Sequence, residues 1–287
     1  RGESMAQAEG DDDLDFTRPP RRSGGYNPVL ARMCFESCGT EETVPEGRPF
    51  FVENEMSNKM YLLIDGEANI RRGSRSLDVV KRDEIFGEMA AITHQPRSAG
   101  AFARTQCRVF SLDARQFRRA IEQTPEFGLM LMNIMVTRLR LTVSMLSMTK
   151  SLPDWKGAPD SRGFDDRLLT DLTRAFQERA SLHYPARKVI MKEEEGGVFM
   201  YIVLKGRVSI SVGSQIVEKV GPGGVFGEMA LVDQSTRAAS AVAETDCVLL
   251  PVNRNDLLEV VKSKTDIGMS LLRAIAERLR HMDSGYK

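Results

Sequence analysis

A five-residue string occurs twice in this chain, as Phe86-Gly87-Glu88-Met89-Ala90 and, 140 residues later, as Phe226-Gly227-Glu228-Met229-Ala230. Laying residues 86–117 over 226–257 without a gap matches 11 of 32 positions, including Arg97 with Arg237, Ala99 with Ala239, Thr105 with Thr245 and Cys107 with Cys247. Upstream, Met60-Tyr61 and Gly66 stand opposite Met200-Tyr201 and Gly206 at the same shift. Self-similarity at a fixed spacing marks one folding unit used more than once. The 287 residues are therefore expected to form two copies of one module. The expected divisions are a disordered tail at 1–25, module one at 26–150, a linker at 151–166 and module two at 167–287.

Periodicity says what a module is made of. Residues 60–70 and 200–212 alternate apolar and polar side chains around a glycine, as half-buried strands meeting at a turn do. Residues 44–52 and 187–191 supply earlier strands, and 99–112 and 239–252 later ones. Many short strands with glycine-containing turns predict an antiparallel jelly roll. Helical patterns frame the strands over 28–38, 114–123 and 255–263, with longer amphipathic helices over 126–150 and 266–282. The expected class is α+β, mainly β: two jelly-roll β-barrels, each with flanking helices and a C-terminal amphipathic helix. In the first long helix Met132, Met135, Leu139, Val143 and Leu146 recur at three and four residues, enough for a seam against a second helix. That second helix belongs either to the same chain or to another copy, a homodimer through 126–150.

Composition narrows the function. Lys and Arg number 40, as do Asp and Glu, so the general basic field that holds many proteins to nucleic acid is missing. No apolar run approaches the roughly 20 residues of a membrane-spanning helix, and Gly10 to Asp15 reads GDDDLD where a secretory leader would be apolar. Cys34, Cys38, Cys107 and Cys247 are too few for a disulfide scaffold. His94, His183 and His281 are scattered, without the clustering a metal centre needs. The expectation is a cytoplasmic protein with no metal site and no membrane span.

The repeated string has a definite chemical capacity. Its glycine permits close backbone approach, and the residues after it can open a short helix whose first N–H groups lack internal partners. Arg97 or Arg237, nine residues after the glutamate, adds a full positive charge and a planar fork of donors suited to phosphate. Glu88 or Glu228 is suited to accepting hydrogen bonds from hydroxyls such as those of a ribose. An anion cradle beside a hydroxyl acceptor fits a sugar phosphate of low charge. Neither lysine nor paired carboxylates stand with them for phosphate chemistry, so binding without catalysis is expected. The alternative is a turn that serves only the fold, its Arg and Glu pairing with each other.

At these residues the sequence resembles the cyclic nucleotide-binding domain family, over nearly all of residues 28–284. The phosphate-binding cassette of that family reads Phe-Gly-Glu-Leu/Met-Ala, a loop, then Arg-Ser/Ala-Ala; here it reads FGEMAAITHQPRSA and FGEMALVDQSTRAA. The resemblance implies that Gly87, Glu88, Met89 and Ala90, and Gly227, Glu228, Met229 and Ala230, line the ribose phosphate. It implies that Arg97 and Arg237 pair with the cyclic phosphate and that Ser98 and Ala238 cap it. It also places Thr142 near a purine-contacting threonine on the long helix of the bacterial catabolite-activator sensor, with Met282 at the matching position of module two. Module one departs from the pattern at Lys81-Arg82-Asp83-Glu84, where module two has Gly221-Pro222-Gly223-Gly224, and at Gly100.

The ligand so implied is cAMP, or cGMP, one per module, with no further cofactor and with a protein partner that reads the helices. No helix-turn-helix follows Met282 in the given residues, so sequence-specific DNA binding is not expected. The tandem arrangement also resembles the regulatory subunits of cyclic-nucleotide-dependent kinases, and Arg21-Arg22-Ser23-Gly24 superficially fits their inhibitor segment, although Gly25 departs from it. Other readings are an interaction scaffold with vestigial pockets and a sensor of cyclic dinucleotides.

Overall fold

The computed structural model describes residues 25–153, 160–161, 163–176 and 180–284. The expected tail up to Gly24, its Arg21-Arg22-Ser23-Gly24 segment, and residues 154–159 and 162 of the expected linker lie outside them. Helix α1 (Pro28–Cys38) opens module one. Proline occupies its first turn, and the Asn27 side chain caps it by accepting the N–H groups of Val29 and Leu30, both at 3.1 Å. Its inward face, Ala31, Cys34, Phe35 and Cys38, is buried. Strands β1 (Thr40–Val44), β2 (Pro49–Phe51), β3 (Met60–Asp65), β4 (Ala68–Arg72), β5 (Arg75–Val80) and β6 (Ile85–Phe86) follow, then the short helix α2 (Glu88–Thr93). Strands β7 (Gly100–Ala103) and β8 (Cys107–Leu112) lead into α3 (Ala114–Gln123) and the long α4 (Pro125–Met148).

Module two repeats that order. It runs α5 (Asp166–Ala175), β9 (Leu182–Tyr184), β10 (Val189–Met191), β11 (Phe199–Lys205), β12 (Val208–Val212), β13 (Gln215–Val220) and β14 (Val225–Phe226). Then come α6 (Glu228–Asp233), β15 (Ser240–Ala243), β16 (Cys247–Asn253), α7 (Arg254–Ser263) and α8 (Thr265–Ser284). The shift of 140 reaches into the caps. Asp113 and Gln116 form a capping box on α3, and Asn253 and Asp256 form the same box on α7.

Each module holds two antiparallel four-stranded sheets, β1-β8-β3-β6 and β2-β7-β4-β5 in the first, β14-β11-β16-β9 and β10-β15-β12-β13 in the second. In module one the two sheets bury a shared core of Phe51, Tyr61, Leu63, Ala68, Val80, Phe86, Ala101, Ala103, Cys107 and Val109. This is the two-sheet jelly roll, but among the described residues the sheets do not join into a closed barrel. The expected barrels are corrected to sandwiches: a closing hydrogen-bond ladder would have to pass through edge strands β6 and β14, which are two residues long.

The expected seam on α4 exists and is filled within the chain. Met132, Met135, Leu139, Val143 and Leu146 are all buried, and α4 packs against α8. The two helices run in the same direction. Glu126 in the first turn of α4 pairs with Lys262, just ahead of α8, at 3.0 Å, and Asp266 in the first turn of α8 pairs with Arg118, on α3 just ahead of α4, at 2.5 Å. Farther along, Arg140 of α4 grips Asp233 of α6 with two bonds, 2.7 and 3.2 Å. The two modules are thus clasped about a pseudo-twofold axis, and the seam does not await a second copy. Helix α4 is long and apolar enough to cross a membrane by length and composition only, as buried core helices also are, and 61% of its most apolar window is buried inside the protein.

Helix α5, at the place α1 holds in module one, was not expected. Its cap is Asp165, which accepts the N–H of Leu168 at 2.8 Å. Ahead of it Ser161 bridges to Val220, and Phe164 is buried while its N–H bonds the carbonyl of Gly223 at 2.9 Å. The later residues of the expected linker therefore pack on module two.

Candidate functional site

In both modules a two-residue strand ends in a glycine that only glycine can supply. Gly87 has φ +74° and Gly227 φ +76°, left-handed values that strain any L side chain. A Cβ at Gly227 would also stand 2.6 Å from Nη1 of Arg237, and one at Gly87 would stand 2.9 Å from both Nη1 of Arg97 and the Phe51 ring. The turn rests on a stacked aromatic pair, Tyr61 on Phe86 and Tyr201 on Phe226, each with ring centroids 5.2 Å apart. Beyond the glycine, Glu88 and Glu228 open α2 and α6.

The returning arginine is pinned by its own backbone. The N–H of Arg97 bonds the carbonyl of Glu55 at 3.0 Å, and its carbonyl accepts from Asn54 at 2.9 Å; Arg237 makes the same pair with Glu195 and Glu194, both at 2.9 Å. Each guanidinium then reaches inward. Arg97 donates from Nη1 to the carbonyl of Gly87 and from Nη2 to that of Lys59, both at 2.6 Å. Arg237 donates to the carbonyls of Gly227 at 2.8 Å and Phe199 at 2.5 Å. Arg97 is 2% exposed and Arg237 5%. Burial lowers both from the ordinary arginine value, against the longer-range pull of Tyr61, Glu55 and Glu88 on the first and of Tyr201 and Glu228 on the second. A desolvated cation whose bonded acceptors, among the described residues, are neutral oxygens is short of counter-charge. An anion seated at the glycine turn would provide it.

The glutamates face a different partner. Glu88 Oε1 accepts from Nη1 of Arg138 on α4 at 2.5 Å, with both side chains below 10% exposed. Glu228 Oε1 accepts from Nη1 of Arg278 on α8 at 2.7 Å. Arg278 also donates from Nε to the two oxygens of Glu218, at 2.9 and 3.0 Å, and from Nη2 to the carbonyl of Val225. Burial alone would lower Arg278, but Glu218 and Glu228 together raise it above the ordinary arginine value. Each module thus locks the first residue of its short helix to its long helix. In neither does the arginine of the repeated string bond the glutamate of that string, the pairing a purely structural turn would show.

A cavity of about 70 Å³ opens in module two, bounded by Gly227, Glu228, Met229, Ala230, Arg237 and Ala238. Its far wall is apolar, and two of its side chains, Leu139 and Val143, come from α4 of module one.

The family "Cyclic nucleotide-binding domain" matches residues 41–124 and again 181–264, more than half of the chain. The chain belongs to the cyclic nucleotide-binding domain family. The Cyclic AMP receptor protein of Thermus thermophilus is 34% identical over 133 residues, which cover 45% of this chain and 60% of that protein. cGMP-dependent protein kinase 2 of Mus musculus is 23% identical over 231 residues, 78% of this chain and 27% of the kinase. The chain therefore spans less than two thirds of either relative. The regulatory domain of Toxoplasma gondii PKA with cAMP aligns over 85% of this chain and 89% of its own, at 20% identity and a TM-score of 0.31.

As cyclic nucleotide-binding domains, the two modules gather the residues read from the sequence unequally. All six of module two line the one cavity. In module one Gly87, Glu88, Met89 and Ala90 form the strand-to-helix turn and Arg97 reaches the carbonyl of Gly87, while Ser98 is exposed. Thr142 is 3% exposed inside α4; on that helix it is Leu139 and Val143 that reach the second module's cavity, where Met282 joins them. Sequence reasoning missed Arg138, Arg278 and Glu218. The signal was present, because Arg138 and Arg278 are one more identity at the 140 shift, beyond the stretch that was aligned.

Proposed function

We propose that the chain is a non-enzymatic cyclic-nucleotide receptor, with cAMP as the ligand and one molecule per module, that signals through α4 and α8 to a protein partner. The observation carrying this reading is the pair of buried arginines, each ending at the carbonyl of a left-handed glycine and each lacking a bonded carboxylate among the described residues. The equatorial oxygens of a cyclic phosphate supply the missing charge. Glu88 and Glu228, released from Arg138 and Arg278 or sharing them, accept the ribose hydroxyl. The likeness to a Cyclic AMP receptor protein supports cAMP, while the likeness to a cGMP-dependent protein kinase keeps cGMP as the other candidate ligand and supports a kinase-type partner as a second output.

A ligand in the second cavity would touch both modules, since Leu139 and Val143 wall it from across the seam. Occupancy would then bear on the α4–α8 packing, which is what a partner would read. The ion pairs that already hold both glutamates favour one competing reading, an interaction scaffold whose pockets stay shut. Calorimetric titration with cAMP, cGMP and cyclic di-GMP separates these. The receptor reading expects saturable heat with a cyclic mononucleotide, lost in the Arg97→Ala/Arg237→Ala double variant. No heat and no thermal shift with any of the three would support the scaffold, and heat with the dinucleotide alone would redirect the ligand assignment.

A further inference from the structure

The two cradles share backbone geometry but not the surroundings of the arginine. In module one Nε of Arg97 donates to Oγ of Ser57 at 2.8 Å, and the Phe51 ring lies against the guanidinium face, 3.9 Å from its carbon to the ring centroid. With the two carbonyl bonds already described, three nitrogens are bonded and one face is covered. The residues 140 positions on are Gly197 and Met191. Gly197 offers no hydroxyl, and a Cβ there would stand 2.1 Å from Nε of Arg237. Among the described residues Arg237 bonds only two carbonyls, and it lines the cavity together with Met191.

We propose that Ser57 and Phe51 hold Arg97 in a self-satisfied state, so that module two carries the high-affinity cyclic-nucleotide site and module one a weaker one. This rests on the receptor reading above. Anion recognition by arginine draws on paired N–H groups of the fork. In module one the Nε–H, and with it the Nε–Nη edge of the fork, is already committed to a protein acceptor. A ligand must displace or share that bond and work beside a ring stacked on the cation. In module two Nε carries no such commitment, and a thioether replaces the ring. Ser57 is thereby a positioning residue: it acts on the ligand through the orientation and donor supply of Arg97.

The expected difference is about tenfold in affinity, the worth of one hydrogen bond from a charged donor. Titration of the full chain with cAMP should resolve two classes of site. Arg237→Ala should abolish the tight class and Arg97→Ala only the weak one. In the Arg237→Ala background, Ser57→Gly should tighten the remaining site severalfold, whereas Ser57→Thr, which keeps the hydroxyl, should leave it unchanged. Thermal unfolding of each variant reports whether it is folded. Independently of any ligand, the Nε–H proton of Arg97 should exchange with solvent more slowly than that of Arg237, and Ser57→Gly should remove that protection.

A tight class lost in Arg97→Ala, two equal classes, or a module-one affinity indifferent to Ser57→Gly would each overturn the proposal while leaving the receptor reading intact. No heat from the wild type with cAMP or cGMP would overturn both.

Discussion

Replacing Arg278 by methionine tests whether α8 is fastened by charge to the turn at Gly227 and Glu228. Methionine keeps most of the volume and removes the cation. What remains is Glu218 and Glu228, with side chains 15% and 3% exposed, and the carbonyl of Val225, all without their donor. Breaking one buried ion pair by removing a partner costs about 3–5 kcal/mol. Two carboxylates lose their partner here, so the upper part of that range, about 4–5 kcal/mol, is expected. At roughly 2–4 °C per kcal/mol for a unit of 150–250 residues, melting should fall by about 8–20 °C. Arg138→Met should cost less. Among the described residues Arg138 is bonded to Glu88 alone and its buried Nε has no acceptor, so the wild type already carries part of the penalty. The assay is urea unfolding of both variants, with Glu218→Gln/Glu228→Gln/Arg278→Met as the compensated control. That control should recover most of the loss, because it removes the charges the missing cation had balanced. A loss below about 1 kcal/mol for Arg278→Met, the size of an exposed pair, would refute the idea that this cluster fastens the helix.

Three further outcomes follow from the same geometry. Gly227→Ala places a Cβ 2.6 Å from Nη1 of Arg237 at φ +76°; about 1–2 kcal/mol of strain and at least a tenfold loss of cAMP affinity are expected by calorimetry, and undiminished affinity would show that the turn tolerates side chains. A double-mutant cycle on Arg140 and Asp233, with side chains 27% and 13% exposed, should return a coupling of about 1 kcal/mol; zero coupling would mean the two-bond grip between modules contributes nothing. The third concerns acid. Asp266 is held below its ordinary 3.8 chiefly by its bond from Arg118, and Glu126 below its ordinary 4.5 chiefly by its bond from Lys262. Lowered carboxylates stabilise the fold above their ordinary pKa and lose that contribution as pH falls through the lowered values. Asp266→Asn/Glu126→Gln should therefore cost about 1 kcal/mol at neutral pH and almost nothing at about pH 2, in calorimetric scans across that range.

The repeat and the cassette were legible because each turns on residue types with few substitutes. A left-handed turn under a guanidinium admits only glycine, and Gly87 and Gly227 are spelled out with their Glu and Arg at fixed spacing. Helices with capping residues, such as α1 after Asn27 and α3 after Asp113, were legible to the residue. What did not show was whatever depends on how elements meet. The sheets' failure to close is decided by edge strands two residues long, too short to leave a periodicity. Helix α5 begins at the last residue of the stretch read as linker and was passed over, because its start depends on Phe164 packing and on Asp165 at its cap rather than on a long apolar period. The partners of Glu88 and Glu228 lie 50 residues downstream, where only the fold brings them back.

A seam of this kind can be built from two identical chains or from two modules of one, and the choice has consequences. In a symmetric pair every contact occurs twice. Here Arg140 grips Asp233, but the residues one repeat away are Arg280 and Thr93, and Nη1 of Arg280 is buried with no partner among the described residues. The same freedom set Ser57 and Phe51 around one arginine and Gly197 and Met191 around the other. Joining the modules in one chain lets each half of a pseudo-symmetric pair change without its counterpart changing too. Because Leu139 and Val143 of module one also wall the cavity of module two, the two halves nevertheless remain mechanically joined at α4. On the proposed reading, unequal sites on one shared helix would form a graded device: the first ligand would meet a cavity walled by both modules, and the second would have to free an arginine that Ser57 keeps occupied.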